Sequence, residues 1–241
     1  DSSLLAAVAR EVLGDRCRAA LLESPLVPRR AIREARETAG ALGISLDVIP
    51  VPLMEEEPFL GNPPDRCYHC RKISARVLLA RARELGLAHV ADGTSISDLG
   101  EHRPGIRAGS EEGILHPFVE AGITKADIRA IARRRGHGFW NMPTAACLAS
   151  RIPYGDRITA ERLRMVEEAE EELHRRGFTR VRVRAHGPVA RIEVMPEEME
   201  RLWREASGIV GTFRSIGFVY VSVDRAGFRS GSMGEGLWAP T

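Results

Sequence analysis

Aromatic residues make up only 5% of this 241-residue chain, and cysteine occurs just four times, at Cys17, Cys67, Cys70 and Cys147. So few cysteines in a chain of this length exclude a disulfide scaffold and fit a cytosolic protein with a metal or redox site. There is no apolar run long enough to cross a bilayer, and no secretory signal at the start. The chain opens at Asp1 without a methionine, so a native N-terminus is expected to be missing. An excess of one charge is also lacking. Lys and Arg number 35 against 33 Asp and Glu, for a formal net charge of +2, which argues against a dedicated nucleic-acid binder. The local run Arg133, Arg134, Arg135 reads as a solvated helix face. No internal repeat or low-complexity segment is present.

What is there is ordinary globular material, 44% hydrophobic and 28% charged, with enough length to bury a sizeable core. The first half alternates helix and strand signals. Residues 2–12 form an amphipathic pattern and RAALLE (18–23) a short buried strand. Pro28 opens a helix to about residue 42, where a missing N–H costs least. ISLDVIPV (44–51) is the next strand. Residues 65–85 are helical with Gly86 as the stop, and AHVA (88–91) is a third strand leading into the loop DGTSISDLGEHRPG. Thr124 and Asp127 form a weak capping box on a helix over 124–135. This rhythm predicts an α/β fold with a parallel sheet covered by helices. After a turn-rich joint at 154–159 the texture changes. A charged helix (160–176) precedes strands VRVRAH and VARIEV, split by Gly187-Pro188. A helix over 196–207 and a strand FVYVSVD follow. The second half therefore reads as a smaller α+β domain, giving domains over 1–153 and 154–241.

Three segments could carry chemistry. In DRCYHCRK, Cys67 and Cys70 are one helical turn apart and can ligate a single site. Zinc, iron–sulfur and redox dithiol readings all stand. Cys147 in PTAACLASRIPYG is the candidate third thiol, because Cys17 lies in the helix–strand portion near the start. Three thiolates with one open position suit a [4Fe-4S] cluster; against this, Cys147 reads equally well as a small buried apolar residue. His69 reads as a turn-facing polar side chain rather than a zinc ligand. The loop DGTSISD follows a strand, where α/β sheets bind ligands, and it offers Thr94, Ser95, Ser97 and Asp98. In VRVRAHGPVARIEV, Arg182 and Arg184 share one strand face and would suit a phosphate or carboxylate. A solvated face with cross-strand ion pairs to the Arg191 and Glu193 strand is the favoured local reading.

Several motifs carry a family resemblance. Asp1-Ser2 at the head of a helix resembles the end of the SGGxDS loop of PP-loop ATP pyrophosphatases. The loop DGTSISDLGEHRPG and the segment HPFVEAGITKADIRAIAR resemble later nucleotide-site segments of that superfamily. Taken in order, NPPDRCYHCRK, DLGEHRPGIRA, PTAACLASRIPYG, VRVRAHGPVARIEV and FRSGSM resemble the LarE family, the sulfur transferases of nickel-pincer cofactor synthesis for lactate racemase. The resemblance covers nearly the whole chain.

It implies a PP-loop (adenine nucleotide alpha hydrolase-like) domain whose first strand and glycine-rich loop lie before Asp1. It also implies ATP-dependent conversion of pyridinium-3,5-biscarboxylic acid mononucleotide to the bis-thiocarboxylic acid form. Asp1, Ser2, Gly93, Thr94 and Asp98 would surround ATP, with Asp98 helping to hold Mg²⁺. Ser150, Arg151, Arg182 and Arg184 would bind the substrate phosphate. One branch of the family uses a lone cysteine at the Cys147 position as a sacrificial sulfur donor. Another adds the CxxC pair and holds a [4Fe-4S] cluster, and this chain, with Cys67, Cys70 and Cys147, resembles that branch. The expected partners are the nucleotide substrate, ATP and a sulfide source, in a cytoplasmic homo-oligomer with no membrane and no nucleic acid. The competing readings are a PP-loop tRNA thiolase and a zinc-stabilised nucleotide-binding module without catalysis.

Overall fold

A computed structural model describes residues 1–100, 104–142 and 146–229. Parts of the motifs DLGEHRPGIRA, PTAACLASRIPYG and FRSGSM lie outside the described residues. The chain divides into two compact units, Asp1–Phe59 with Pro63–Ala145, and Leu60–Asn62 with Ala146–Thr241. Among the described residues no helix is long and apolar enough to cross a membrane.

In the first unit, β1 (Ala19–Glu23) and β2 (Leu46–Pro50) pair in parallel, Ala19 opposite Leu46 through Glu23 opposite Pro50. A parallel pair needs a crossover, and the helix Arg29–Leu42 supplies it. That helix stops where Gly43 adopts the left-handed conformation (φ 60°, ψ 30°), its N–H returning to the last turn, a backbone state cheap only for glycine. The expected third strand is reduced to a single parallel bridge, Ala91 to Leu115. AHVA has one β-branched residue, and only the Val90 carbonyl and Asp92 N–H find strand-like partners, both on Leu115. The first helix, Ser2–Leu13, is fixed by its apolar face. Leu4 is buried with Phe118, Ile128 and Ala132, and Leu5, Val8 and Ile131 pack around them. Ile128 and Ala132 belong to the helix Lys125–Arg134, which begins with the expected capping box of Thr124 and Asp127.

The second unit is built on an antiparallel hairpin. β3 (Arg182–His186) and β4 (Val189–Glu193) put Arg182 opposite Glu193 and Arg184 opposite Arg191, and β5 (Tyr220–Val223) adds in parallel to β4. The helix Ala160–Arg175 packs on β3, burying Leu163, Val166, Ala169 and Leu173 at helical spacing. It also packs on the helix Ala206–Ile216, where the sequence reading placed only the end of a 196–207 helix. That longer helix is instead a short 3₁₀ turn followed by Met199–Arg204. Gly208 and Gly211 weaken the helix signal of ASGIVGTFRSI, but Ile209 and Phe213 are essentially inaccessible to solvent, so packing overrides propensity. Leu60–Asn62 is stitched into this unit. Asn62, fully buried at φ 55°, donates its side-chain amide to the carbonyls of Ile152 (3.3 Å), Pro153 (2.6 Å) and Asp156 (3.0 Å).

Candidate functional site

In the first unit, the nucleotide-loop residues converge on the start of the first helix. A Cβ placed on Gly93 would lie 2.5 Å from the Ser2 backbone nitrogen and 2.8 Å from the Asp1 carbonyl carbon. Only glycine allows the DGT loop to approach this helix N-terminus, whose free N–H groups suit an anion. Asp1, Ser2 and Gly93 are therefore brought together. Thr94 donates its backbone N–H to Asp92 Oδ1 at 2.9 Å. Asp98 is placed differently from an open cation ligand. Its Oδ2 accepts from the Ser95 N–H (3.0 Å) and hydroxyl (2.8 Å), while Oδ1 faces Lys125 Nζ at 2.7 Å. The carboxylate is 4% exposed, so its charge needs that lysine.

Cys67 and Cys70 stand near the N-terminus of the helix Arg66–Glu84, the first exposed and the second half-buried. His69 Nε2 lies 3.5 Å from Asp65 Oδ2, a local polar contact on the turn. Cys147 belongs to the second unit and is exposed, so it is not the buried apolar residue that its sequence context also allowed. Cys17 is half-buried, its thiol 3.3 Å from the Gly14 carbonyl. Among the described residues no three His, Cys, Asp or Glu side chains gather as a metal site. Cys67 and Cys70 share one helical turn, a spacing that lets both thiolates ligate one site.

The arginines of the second unit are not a solvated sheet face. Arg184 is 4% exposed and Glu193 1%, and Arg184 Nε pairs with Glu193 Oε1. Arg191 Nη2 reaches the same carboxylate at 3.5 Å. Arg151 makes a two-pronged pair with Glu170, 2.7 and 3.0 Å, and Glu170 Oε1 also accepts the Val183 N–H at 3.0 Å. Arg182 is held more loosely, 4.0 Å from Glu193, with its guanidinium over the Phe228 ring and one N–H on the Arg229 carbonyl. Burial, then the nearby Arg151 and Arg184 cations, push the Arg182 pKa down. An anion arriving there would relieve that crowding.

This cluster also holds the cysteine segment. Arg151 Nη1 donates to the Ser150 hydroxyl (2.7 Å) and to the carbonyls of Cys147 (3.3 Å) and Ala146 (3.4 Å). The Ser150 hydroxyl donates to the Cys147 carbonyl at 2.7 Å, and Arg184 Nη1 donates to the Ser150 carbonyl at 3.3 Å. Ser150, Arg151, Arg182 and Arg184 are thus brought together, with Cys147 at the edge.

No protein-family model matches the chain. A curated relative, the pyridinium-3,5-bisthiocarboxylic acid mononucleotide synthase of Lactiplantibacillus plantarum, is 33% identical over 98% of this chain and 86% of its own length. The chain belongs to that synthase family. Two uncharacterised proteins are similar over comparable spans. One, from Synechocystis, is 37% identical over 98% of this chain and 89% of the relative. The other, from Methanocaldococcus jannaschii, is 30% identical over 95% and 87%.

Within this synthase family member, sequence reasoning missed several residues of the site. Glu170 positions Arg151 and Lys125 holds Asp98, whereas Glu193 is the cross-strand ion-pair partner that the hairpin pattern already marks. In the first unit, Asp92 joins Arg71 and His116, although only the DGT that it begins drew attention. Burial, then the Arg71 cation, lower the His116 pKa, so a neutral imidazole fits there. The signal for Glu170 was hidden, since it is one of several glutamates in a helix that reads as charged throughout.

Proposed function

We propose that the chain is an ATP-dependent sulfur transferase that converts pyridinium-3,5-biscarboxylic acid mononucleotide to the bis-thiocarboxylic acid form, for nickel-pincer cofactor synthesis. The observation that carries this reading is the positively charged, largely buried arginine cluster built onto the segment bearing Cys147. Three guanidinium groups, of Arg151, Arg182 and Arg184, face two carboxylates, of Glu170 and Glu193. The surplus cation suits a substrate phosphate, and a remote anchor orients the reacting group near the thiol.

In the first unit, Asp1, Ser2, Gly93 and Thr94 would receive ATP. Asp98 would help to hold Mg²⁺, which when bound would offset the phosphate charge. A substrate carboxylate oxygen attacks the α-phosphorus, and pyrophosphate leaves. This mixed anhydride replaces an oxide leaving group by AMP. A sulfur nucleophile then attacks the acyl carbon and AMP departs, leaving a thiocarboxylate; the second carboxylate repeats the cycle. Cys67, Cys70 and Cys147 would hold a [4Fe-4S] cluster with one iron unligated by protein, which when bound supplies a renewable sulfide. The chain is expected to act as a cytoplasmic homo-oligomer and to need a sulfide source.

The test is pyrophosphate release from ATP by the full chain with and without the biscarboxylate mononucleotide. Release that depends on the mononucleotide, with its affinity reduced by Arg182→Ala while ATP affinity holds, supports the reading. Release stimulated instead by tRNA would assign the chain to the tRNA thiolases. No release with either would leave the nucleotide-binding module.

A further inference from the structure

Arg71 follows Cys70 on the CxxC helix, and its guanidinium pairs with Asp92. Asp92 directly precedes the loop residues Gly93 and Thr94. Its second oxygen, Oδ1, accepts the Thr94 N–H at 2.9 Å and meets His116 Nδ1 at 2.8 Å. His116 Nε2 in turn lies 3.0 Å from the Ser110 hydroxyl. We propose that Arg71 is a positioning residue for the nucleotide loop, locking the turn that bears Cys67 and Cys70 to the backbone of Gly93 and Thr94. The inference deepens the ATP-binding reading above and rests on it for its functional consequence.

Two features support a brace rather than a chance contact. The helix Pro104–Glu111 presents Gly105 and Gly109, four residues apart, to the CxxC helix. A Cβ on Gly109 would lie 3.0 Å from Arg71 Nε, and one on Gly105 would lie 3.4 Å from the Cys67 carbonyl oxygen. The Arg71 side chain is therefore laid across a glycine gap that aims it at Asp92. The pair is also largely shielded from solvent, with 27% of the Arg71 side chain and 23% of the Asp92 side chain exposed.

Ser110, His116 and Asp92 have the order of a hydrolytic triad, but two contacts oppose that role. Asp92 already carries the Arg71 cation, and the Ser110 hydroxyl, in the last turn of its helix, donates back to the Ile106 carbonyl at 3.2 Å. These side chains hold a loop in place instead. The tolerance is small, because Gly93 already abuts Asp1 and Ser2. A loop released from Asp92 would shift against the helix N-terminus that faces the phosphates.

Two measurements on the full chain decide this: amide hydrogen exchange over residues 92–97 and the Kd for ATP, each for the wild type, Arg71→Met and Arg71→Lys. The expected result for Arg71→Met is faster exchange of the loop amides and ATP binding weakened about tenfold, the usual scale of coupling between sites. Binding of the biscarboxylate mononucleotide should be unchanged, and lysine should restore most of both losses. Gly109→Ala, which displaces the guanidinium without removing it, should give the same loop signature and stands in if Arg71→Met does not fold. Unchanged exchange and ATP affinity in both variants would overturn the positioning role while the ATP reading stands. Equal weakening of ATP and mononucleotide binding, with a lowered melting temperature, would also overturn it, as a merely structural effect. If the wild type binds no ATP but the variants loosen the loop, the brace survives and the ATP reading falls.

Discussion

Glu193 shows how one residue can set both the stability and the chemistry of the second unit. Its side chain is 1% exposed and its carboxylate serves Arg184, Arg191 and, at longer range, Arg182. Removing one partner of a buried pair strands the other charge, at a cost of about 3–5 kcal/mol. Glu193→Gln keeps the shape but removes the charge, so the unfolding free energy from urea denaturation should fall by an amount in that range. Inorganic phosphate should bind the same variant more tightly, because the positive surplus of the cluster has grown. Stability and anion affinity thus move in opposite directions. If phosphate affinity fell together with stability, Glu193 would be a direct contact to the ligand rather than a counter-charge to the arginines.

Elements differ in how openly the sequence announces them. The parallel pair with its crossover helix, the capping box of Thr124 and Asp127 and the hairpin around Gly187-Pro188 each follow from local rules, namely strand-length apolar runs, a cap and a turn glycine. The helix Ala206–Ile216 was not legible, because its glycines argue against a helix and only the burial of Ile209 and Phe213 decides in its favour. The candidate site was half legible. The cysteines and arginines have motif spacing, and Glu193 is legible as a cross-strand partner over the hairpin, but Glu170 lies in a helix that reads as charged throughout, and nothing local marks it as the partner of Arg151. The strap Leu60–Asn62 is the extreme case, since its partners lie some ninety residues away. Replacing Asn62 by alanine removes the amide that caps three carbonyls and leaves alanine at φ 55°. The unsatisfied carbonyls and the left-handed backbone together should cost about 3 kcal/mol. Asn62→Gly keeps the backbone free and should recover only the conformational part. Equal stability of both variants and the wild type in urea denaturation would show that the strap is not held by this side chain.

At the scale of the whole molecule the cysteines are divided between the two units. Cys67 and Cys70 belong to the first unit with the nucleotide loop, whereas Cys147 belongs to the second with the arginine cluster. Each unit alone supports a different chemistry. An exposed thiol beside an anion site can give up its own sulfur once, becoming dehydroalanine after the thiocarboxylate departs. A pair of thiols on one turn can instead ligate a metal or cluster, or act as a redox dithiol. The two schemes leave different marks on the chain. If Cys147 is consumed, product formation stops at one sulfur per chain and the protein loses the mass of hydrogen sulfide at residue 147. If the three thiols together hold a cluster, anaerobically reconstituted protein with added sulfide turns over repeatedly and its Cys147 mass stays intact. The cluster reading therefore predicts that Cys67→Ala abolishes repeated turnover and leaves at most the single-use reaction, with dehydroalanine found at 147 by mass spectrometry of the digested chain. Cys147→Ala should abolish both, because it removes the donor in one scheme and a ligand in the other. Full repeated turnover by Cys67→Ala, or reconstituted wild-type protein that binds no iron, would remove the CxxC pair from the sulfur chemistry and leave Cys147 as the donor.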